Sequence, residues 1–172
     1  IALLSFMEVS ERGDVNVSLM RAATHVTAGV GGFADITAHA KRIVFSGQFT
    51  AGRKEVNLGN GRLEIISDGS IAKFLPEVAQ ITWSGSVGAQ RGQQVLYVTE
   101  RAVLELRDGV LTVVEIAPGV DLQRDVLDRA SIPLAVADDL KLMDARIFTD
   151  EPMGLELGTA RRTLGPAGKE DR

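Results

Sequence analysis

The chain contains no cysteine. Disulfides and thiolate chemistry are therefore excluded, and the expected compartment is the cytoplasm. Only two histidines occur in 172 residues. There is no Ser/His/Asp arrangement, no histidine-rich metal spacing and no Walker loop, so carboxylates are the nucleophiles left to consider. No apolar run reaches the roughly 18 residues that a membrane-spanning helix needs. No secretory pattern is present in these residues, so the sequon Asn16-Val17-Ser18 is read as chance. The net charge is −4, and so mild an acidity argues against nucleic acid or an anionic membrane as the main partner.

What is present is one domain's worth of sequence, 45% hydrophobic, with 18 glycines against five prolines. That composition suits a real core and many turns between short elements. The first residues are Ile1-Ala2-Leu3-Leu4 rather than Met. The expectation is a strand already in progress and a chain that is a piece of something longer.

Apolar residues 1–7 predict a buried strand, polar residues 8–14 a turn, and alternating residues 15–19 a second strand, together a hairpin. His25 stands beside small residues with no Asp, Cys or second His nearby, which fits a structural histidine better than a catalyst. Residues 33–41 read as a helix and 43–46 as a buried strand. Residues 55–58 and 62–67 alternate around Gly59-Asn60-Gly61, a hairpin signal. Asp68-Gly69 is a turn and residues 73–78 a connector. Residues 80–84 are strand-like and carry the only tryptophan, Trp83, a core anchor, and 85–92 form a loop. Residues 95–98, 103–106 and 111–116 predict an antiparallel meander. Residues 121–130 read as a helix, with Asp121 at its N-cap and Val120, Leu122, Val126 and Leu127 on one stripe. Residues 139–148 are a short amphipathic arm, and residues from 158 onward are too charged and too poor in large apolar groups to order without a partner.

The stretch Ala28-Gly29-Val30-Gly31-Gly32-Phe33 opens the first helix. A glycine-rich turn leading into a helix presents backbone N–H groups to an anion, and the same donors serve a transient oxyanion. The bland reading is a tight turn needing φ > 0. Residues 45–52, with Phe45 and Phe49 framed by Gly, Ser and Thr, look like a shaped loop at a strand end, where α/β sheets bind ligands. The alternative is a plain turn with two core phenylalanines. Glu100, in Thr99-Glu100-Arg101, stands at a strand junction and reads more readily as a surface ion pair with Arg101 than as a nucleophile.

Three segments in order, GVGGFADITAHAKRIVFSGQFTAG, VLYVTERAVLEL and EIAPGVDLQRDVLDRA, closely resemble the C-terminal region of the family I CoA-transferases. The likeness is best to the single-chain acetate, propionate and acetoacetate enzymes, in which two homologous halves are fused. It runs from about residue 1 to 148. The resemblance implies an α/β fold, the superfamily's open sheet with an added antiparallel portion. Residues 1–150 would be the C-terminal part of the second half, and residues 151–172 a flexible tail. It also implies coenzyme A as a substrate, with no permanently bound cofactor and no metal. The reaction passes through an acyl–glutamyl anhydride and a glutamyl-CoA thioester. The glycine loop then maps to the oxyanion and thioester site, Gly31 and Gly32, with Gly29, Phe33, Phe49 and Gly52 as substrate and CoA contacts.

One departure matters. The family's nucleophilic glutamate lies in a Glu-Ser-Gly or Glu-Asn-Gly motif, and neither tripeptide occurs here. Glu8 and Glu11 sit in a turn that does not match it. The nucleophile is expected upstream, so this chain carries no catalytic residue and is inactive alone. The implied partners are an acyl-CoA, a carboxylic acid, the missing half or upstream segment, and further copies in a homo-oligomer. The rival reading is a non-catalytic binding or structural subunit that retains the fold.

Overall fold

The computed structural model describes residues 1–19 and 28–156. Its strands are β1 (Ala2–Ser5), β2 (Glu8–Ser10), β3 (Val15–Asn16), β4 (Arg42–Ser46), β5 (Thr50–Ala51), β6 (Glu55–Gly59), β7 (Arg62–Ser67), β8 (Ile71–Ala72), β9 (Phe74–Leu75), β10 (Gln94–Val98), β11 (Ala102–Arg107), β12 (Val110–Ile116) and β13 (Ala135–Leu142). Two short helices, α1 (Phe33–His39) and α2 (Gly85–Gln90), accompany them. Six strands form the main sheet in the order β1-β4-β10-β11-β12-β13. The first three run parallel, β10 to β12 form the antiparallel meander, and β13 lies parallel to β12. The open sheet with an added antiparallel portion is thus the architecture observed. No helix among the described residues is long and apolar enough to cross a membrane.

Alternation explains the core. Phe45 on β4 pairs in register with Tyr97 on β10, and Ile43 with Val95, all on one face and all nearly inaccessible. α1 lays Phe33 on Phe45, with ring centroids 5.7 Å apart and planes 14° from parallel. Trp83 closes on Phe45 from another side at 5.3 Å, so it is the core anchor expected. Such ring pairs add about 0.5–1.5 kcal/mol each beyond their area. Gln93 donates to the carbonyls of Thr37 and Ala40, both at 2.7 Å, and so satisfies the end of α1. The Tyr97 hydroxyl donates to the Gly13 carbonyl at 2.5 Å, and burial pushes its ionisation well above the ordinary value. A Cβ at Gly13, where φ is +78°, would stand 2.8 Å from that hydroxyl, so the turn must be glycine.

The helix at the glycine turn, the β6–β7 hairpin and the meander stand where the sequence puts them. Asn60 and Gly61 have φ of 51° and 72°, the left-handed pair that a two-residue hairpin needs. Other expectations are corrected. Residues 1–7 and 15–19 do not form a hairpin: β1 pairs with β4, and the hairpin is β2–β3, with β2 inside the supposed turn and β3 at the start of the expected second strand. Glu8 disguises it, being buried yet accepting from Asn16 Nδ2 at 2.7 Å and Ala79 N at 2.9 Å. β1 is moreover an edge strand, with Leu3 72% exposed. Asn16 is fully buried, which removes the sequon from any glycosylating enzyme in the folded chain.

Residues 80–84 make only one bridge, Val15 to Trp83. The loop expected over 85–92 is α2. Asp14 Oδ1 accepts from Gly85 N at 2.9 Å, and a Cβ on Gly88 would meet the Trp83 ring at 2.2 Å, so tertiary contacts overrule poor helix propensity. Residues 121–130 are helical but irregular, a π-type turn at Leu122–Val126 and a 3-10 turn at Leu127–Arg129, capped as expected by Asp121 accepting from Arg124 N. The arm at 139–148 is half strand: β13 ends at Leu142, and a 3-10 turn follows at Ala145–Phe148. Residues 73–78 include β9, which pairs with β2. His25 and the tail from 158 onward lie outside the described residues.

Candidate active site

The parallel strands β1, β4 and β10 end together at Ser5, Ser46 and Val98. Only Ala40 and Lys41 separate α1 from β4, and Phe33 rests on Phe45 near the strand's end. The helix therefore runs back against β4, and its glycine turn opens at the carboxyl ends of the strands. Ligands of α/β sheets bind on that side.

Gly29, Gly31 and Gly32 are exposed. Gly31 has φ of +53°, the left-handed conformation that favours glycine. Phe33 N donates back to Val30 O at 3.1 Å and closes the turn. Among the described residues, no atom comes within 4 Å of the Cβ positions of Gly29 and Gly31, and at Gly32 the nearest is Ile36 Cδ1 at 3.7 Å. Phe33 and Phe49 are placed differently. Their rings are buried, Phe49 against Phe74 at 4.7 Å, so they shape a wall from behind. A Cβ on Gly52, where φ is +102°, would stand 3.3 Å from Ser70 N and Oγ. The structure thus brings the glycine turn and the 47–54 loop to one edge of the sheet.

Glu100 makes the ion pair expected with Arg101, but not at the surface, since Arg101 is buried. Its Oε2 accepts from Phe49 N at 2.8 Å, and its Oε1 accepts from Arg101 Nε at 3.0 Å, with Lys54 Nζ at 3.5 Å. Arg101 is completely buried. Its two terminal nitrogens grip Asp68 at 2.8 and 2.7 Å, one of them also reaches the Asp125 carbonyl at 3.0 Å, and the group stacks 5.2 Å from the Phe49 ring centroid. Asp68 further accepts from Thr50 Oγ1, Gly69 N and Arg129 Nε. Burial pushes the Asp68 carboxyl up, but Arg101 and the other donors outweigh it and hold it well below the usual carboxylate range. Sequence reasoning missed this network. The signal was there: a charged pair inside the apolar run from Tyr97 to Leu106 demands buried partners.

Lys73 is buried nearby, donating to Phe6 O at 3.1 Å and lying 4.3 Å from the Phe6 ring centroid. Burial lowers its ammonium to about 8, against an opposing pull from Glu100. A cavity of about 370 Å³ opens beside Glu100 and Lys54, walled by Val56, Leu63, Met143 and Phe148. A roomier one of about 680 Å³ lies between Glu11, Arg12, Pro76 and Pro133. None of the substrate or coenzyme A contacts expected from the sequence lines that second cavity. Among the described residues, no three His, Cys, Asp or Glu side chains converge as metal ligands.

No protein-family model matches the chain. Acetate CoA-transferase YdiF of Escherichia coli O157:H7 is 42% identical over 160 residues, 93% of this chain and 30% of that protein. Caffeate CoA-transferase of Acetobacterium woodii is 42% identical over 158 residues, 91% of this chain and 30% of that protein. The crystal structure of the E. coli O157:H7 YdiF apoenzyme matches with a TM-score of 0.84 at 43% identity, over 90% of this chain and 30% of that one. Glutaconate CoA-transferase from Acidaminococcus fermentans matches with a TM-score of 0.59 at 16% identity, over 83% of this chain and 52% of that one, a likeness of fold alone. The open sheet is accordingly the architecture of the solved acetate CoA-transferase. Over more than nine tenths of its length the chain is similar to one part of these CoA-transferases, consistent with a part of a family I enzyme. It spans about 30% of the length of the curated relatives it matches.

Proposed function

We propose that the chain is part of an acyl-CoA:carboxylate CoA-transferase, acting on a short-chain or 3-keto acid, whose nucleophilic glutamate lies outside these residues. The glutamate oxygen attacks the thioester carbonyl carbon, the C–S bond breaks, and CoA thiolate leaves an acyl–glutamyl anhydride. The thiolate then attacks the glutamyl carbonyl, the bridging C–O bond breaks, and the acyl group departs as its carboxylate. A glutamyl-CoA thioester remains, and an incoming acid runs the steps in reverse. Negative charge develops on the carbonyl oxygen at each attack. The amides of Gly31 and Gly32 are the donors that stabilise it, and Gly29, Phe33, Phe49 and Gly52 form the wall for coenzyme A and substrate. Coenzyme A comes and goes as a substrate; no cofactor is resident.

The observation that carries this reading is the 42% identity to acetate and caffeate CoA-transferases over more than nine tenths of the chain. It is supported by the relative YdiF, which has been solved as a thioester complex with CoA. Glu100 fits poorly as the nucleophile, because both its oxygens are engaged by donors. The partners of this reading are the remainder of the protein and further copies of it, in the cytoplasm. The test compares the full-length protein with this chain alone in transfer from acetoacetyl-CoA or propionyl-CoA to acetate. Turnover by the full-length protein only is expected, with CoA found by mass spectrometry on a glutamyl peptide outside residues 1–172. Robust turnover by the chain alone, abolished in Glu100→Gln, would replace the upstream nucleophile with Glu100.

A further inference from the structure

We infer that Glu100 is a positioning residue, the clamp that holds the 47–54 loop in its binding-competent shape. The inference rests on the reading of that loop as part of the coenzyme A and substrate wall. Three observations converge on it. Glu100 Oε2 accepts from the backbone amide of Phe49, in the middle of the loop, at 2.8 Å. Its Oε1 stands 3.5 Å from Lys54 Nζ, and that ammonium also donates to Thr50 O at 3.1 Å, so the loop is gripped in its middle and at its far end. The clamp itself is fixed from behind, because Arg101 Nε donates to Oε1 while its other nitrogens are locked on Asp68 and the Asp125 carbonyl.

Other contacts hold the loop's flanks, Gly47 N donating to Val98 O at 3.0 Å and Thr50 Oγ1 to Asp68 Oδ1 at 2.5 Å, and neither fixes the backbone at Phe49. The loop's short strand, β5, makes two register pairs with β8. Gly52 takes a φ of +102°, a conformation that favours glycine. Phe49 anchors the ring side in the core, but a ring fixes one side chain and not the path of the backbone around it. A carboxylate accepting from a backbone amide fixes that path. Charge-assisted bonds are the strong kind, and a binding wall is precise only when a second layer of residues orients it. Glu100 thus gains a role without touching the reacting atoms.

The test uses the full-length protein with Glu100→Ala and Glu100→Gln. The glutamine keeps one oxygen that can accept from Phe49 N; the alanine keeps none. Loss of a bond of this kind corresponds to roughly a tenfold change in an equilibrium. The expected result for Glu100→Ala is a rise of about tenfold in the KM for acyl-CoA, with kcat within about threefold of wild type. Glu100→Gln falls between the two, and hydrogen exchange at residues 48–54 quickens in the same order while 42–46 is unchanged. Unchanged exchange at 48–54 overturns the clamp and leaves the transferase reading intact. Faster exchange with an unchanged KM overturns the clamp's role in binding and removes the loop from the substrate wall. Loss of thioester formation in both variants at an unaltered KM also overturns it, making Glu100 a catalytic residue. A wild-type protein that transfers no CoA overturns the underlying reading itself.

Discussion

Arg101, with no side-chain surface exposed, holds Asp68 in a two-pronged grip at 2.8 and 2.7 Å. The pair joins the turn after β7 to the turn before β11, segments 33 residues apart in sequence. A guanidinium buried this deeply is tolerable only while its acceptors are in place.

Asp68→Ala should therefore destabilise the protein by about 3–5 kcal/mol, the usual cost of stripping one partner from a buried pair. A urea titration at neutral pH measures it. The same carboxyl sets a pH dependence. Its folded-state pKa lies below the ordinary 3.8. Its contribution is thus complete above that value and lost as pH falls through it toward the depressed folded value. Wild type should lose stability below about pH 4 more steeply than Asp68→Asn. Parallel acid profiles for the two proteins would remove Asp68 from the account.

Lys73 gives a slope of the same sign at the alkaline end, where a penalty for the buried ammonium is relieved instead of a stabilisation lost. Its folded-state pKa is about 8 against an ordinary 10.5, chiefly through burial. Between those values the unfolded chain binds more protons than the folded one, so stability rises with pH across that window. Denaturant midpoints of wild type should climb relative to Lys73→Met as the buffer moves from about pH 8 to 10. A flat difference across the window contradicts the buried ammonium.

The sheet and the site were unequally legible in the sequence. β4, β10, β11 and β12 announce themselves because each alternates or runs apolar between clear turns, and those rules are local. β1 resembles them but pairs with β4 some 40 residues away; partner choice is a long-range property that periodicity does not encode. α2 was hidden because glycine and serine deny a helix until Trp83 and Asp14 hold it. The glycine turn was found from its composition, whereas the Glu100–Arg101–Asp68 network was missed. Its members are scattered, and only the fold shows that a motif pair and a turn aspartate share one buried knot.

The second face of the parallel strands carries a further expectation. Leu3, Val44 and Leu96 stand in one register row, Leu3 72% exposed and the other two half-buried. Parallel sheets normally have both faces covered, and among the described residues β1 also leaves its outer edge unpaired. The chain alone should therefore self-associate, and Leu3→Lys should shift it toward monomer. Light scattering at tens of micromolar, about the range of weak interfaces, decides this, and a clean wild-type monomer there would count against it.

The glycine turn offers the sharpest separation of structure from chemistry. At Gly31 the Cβ of an alanine meets no atom of the described residues within 4 Å, but φ is +53°, so Gly31→Ala should cost about 1 kcal/mol in strain alone. At Gly32 the backbone φ is −82° and the nearest atom to a new Cβ is Ile36 Cδ1 at 3.7 Å, an ordinary contact. Gly32→Ala should thus fold with an unchanged melting temperature. A plain turn would leave its activity unchanged too. If the Gly32 amide serves the oxyanion, a methyl group on that exposed turn crowds the thioester and displaces the donor. Loss of one such donor typically lowers the rate by on the order of a hundredfold. In the full-length protein, Gly32→Ala should therefore form glutamyl-CoA about a hundredfold more slowly at wild-type stability. Measuring both on the same preparation is decisive: normal melting with a wild-type rate of thioester formation would reduce the loop to a turn.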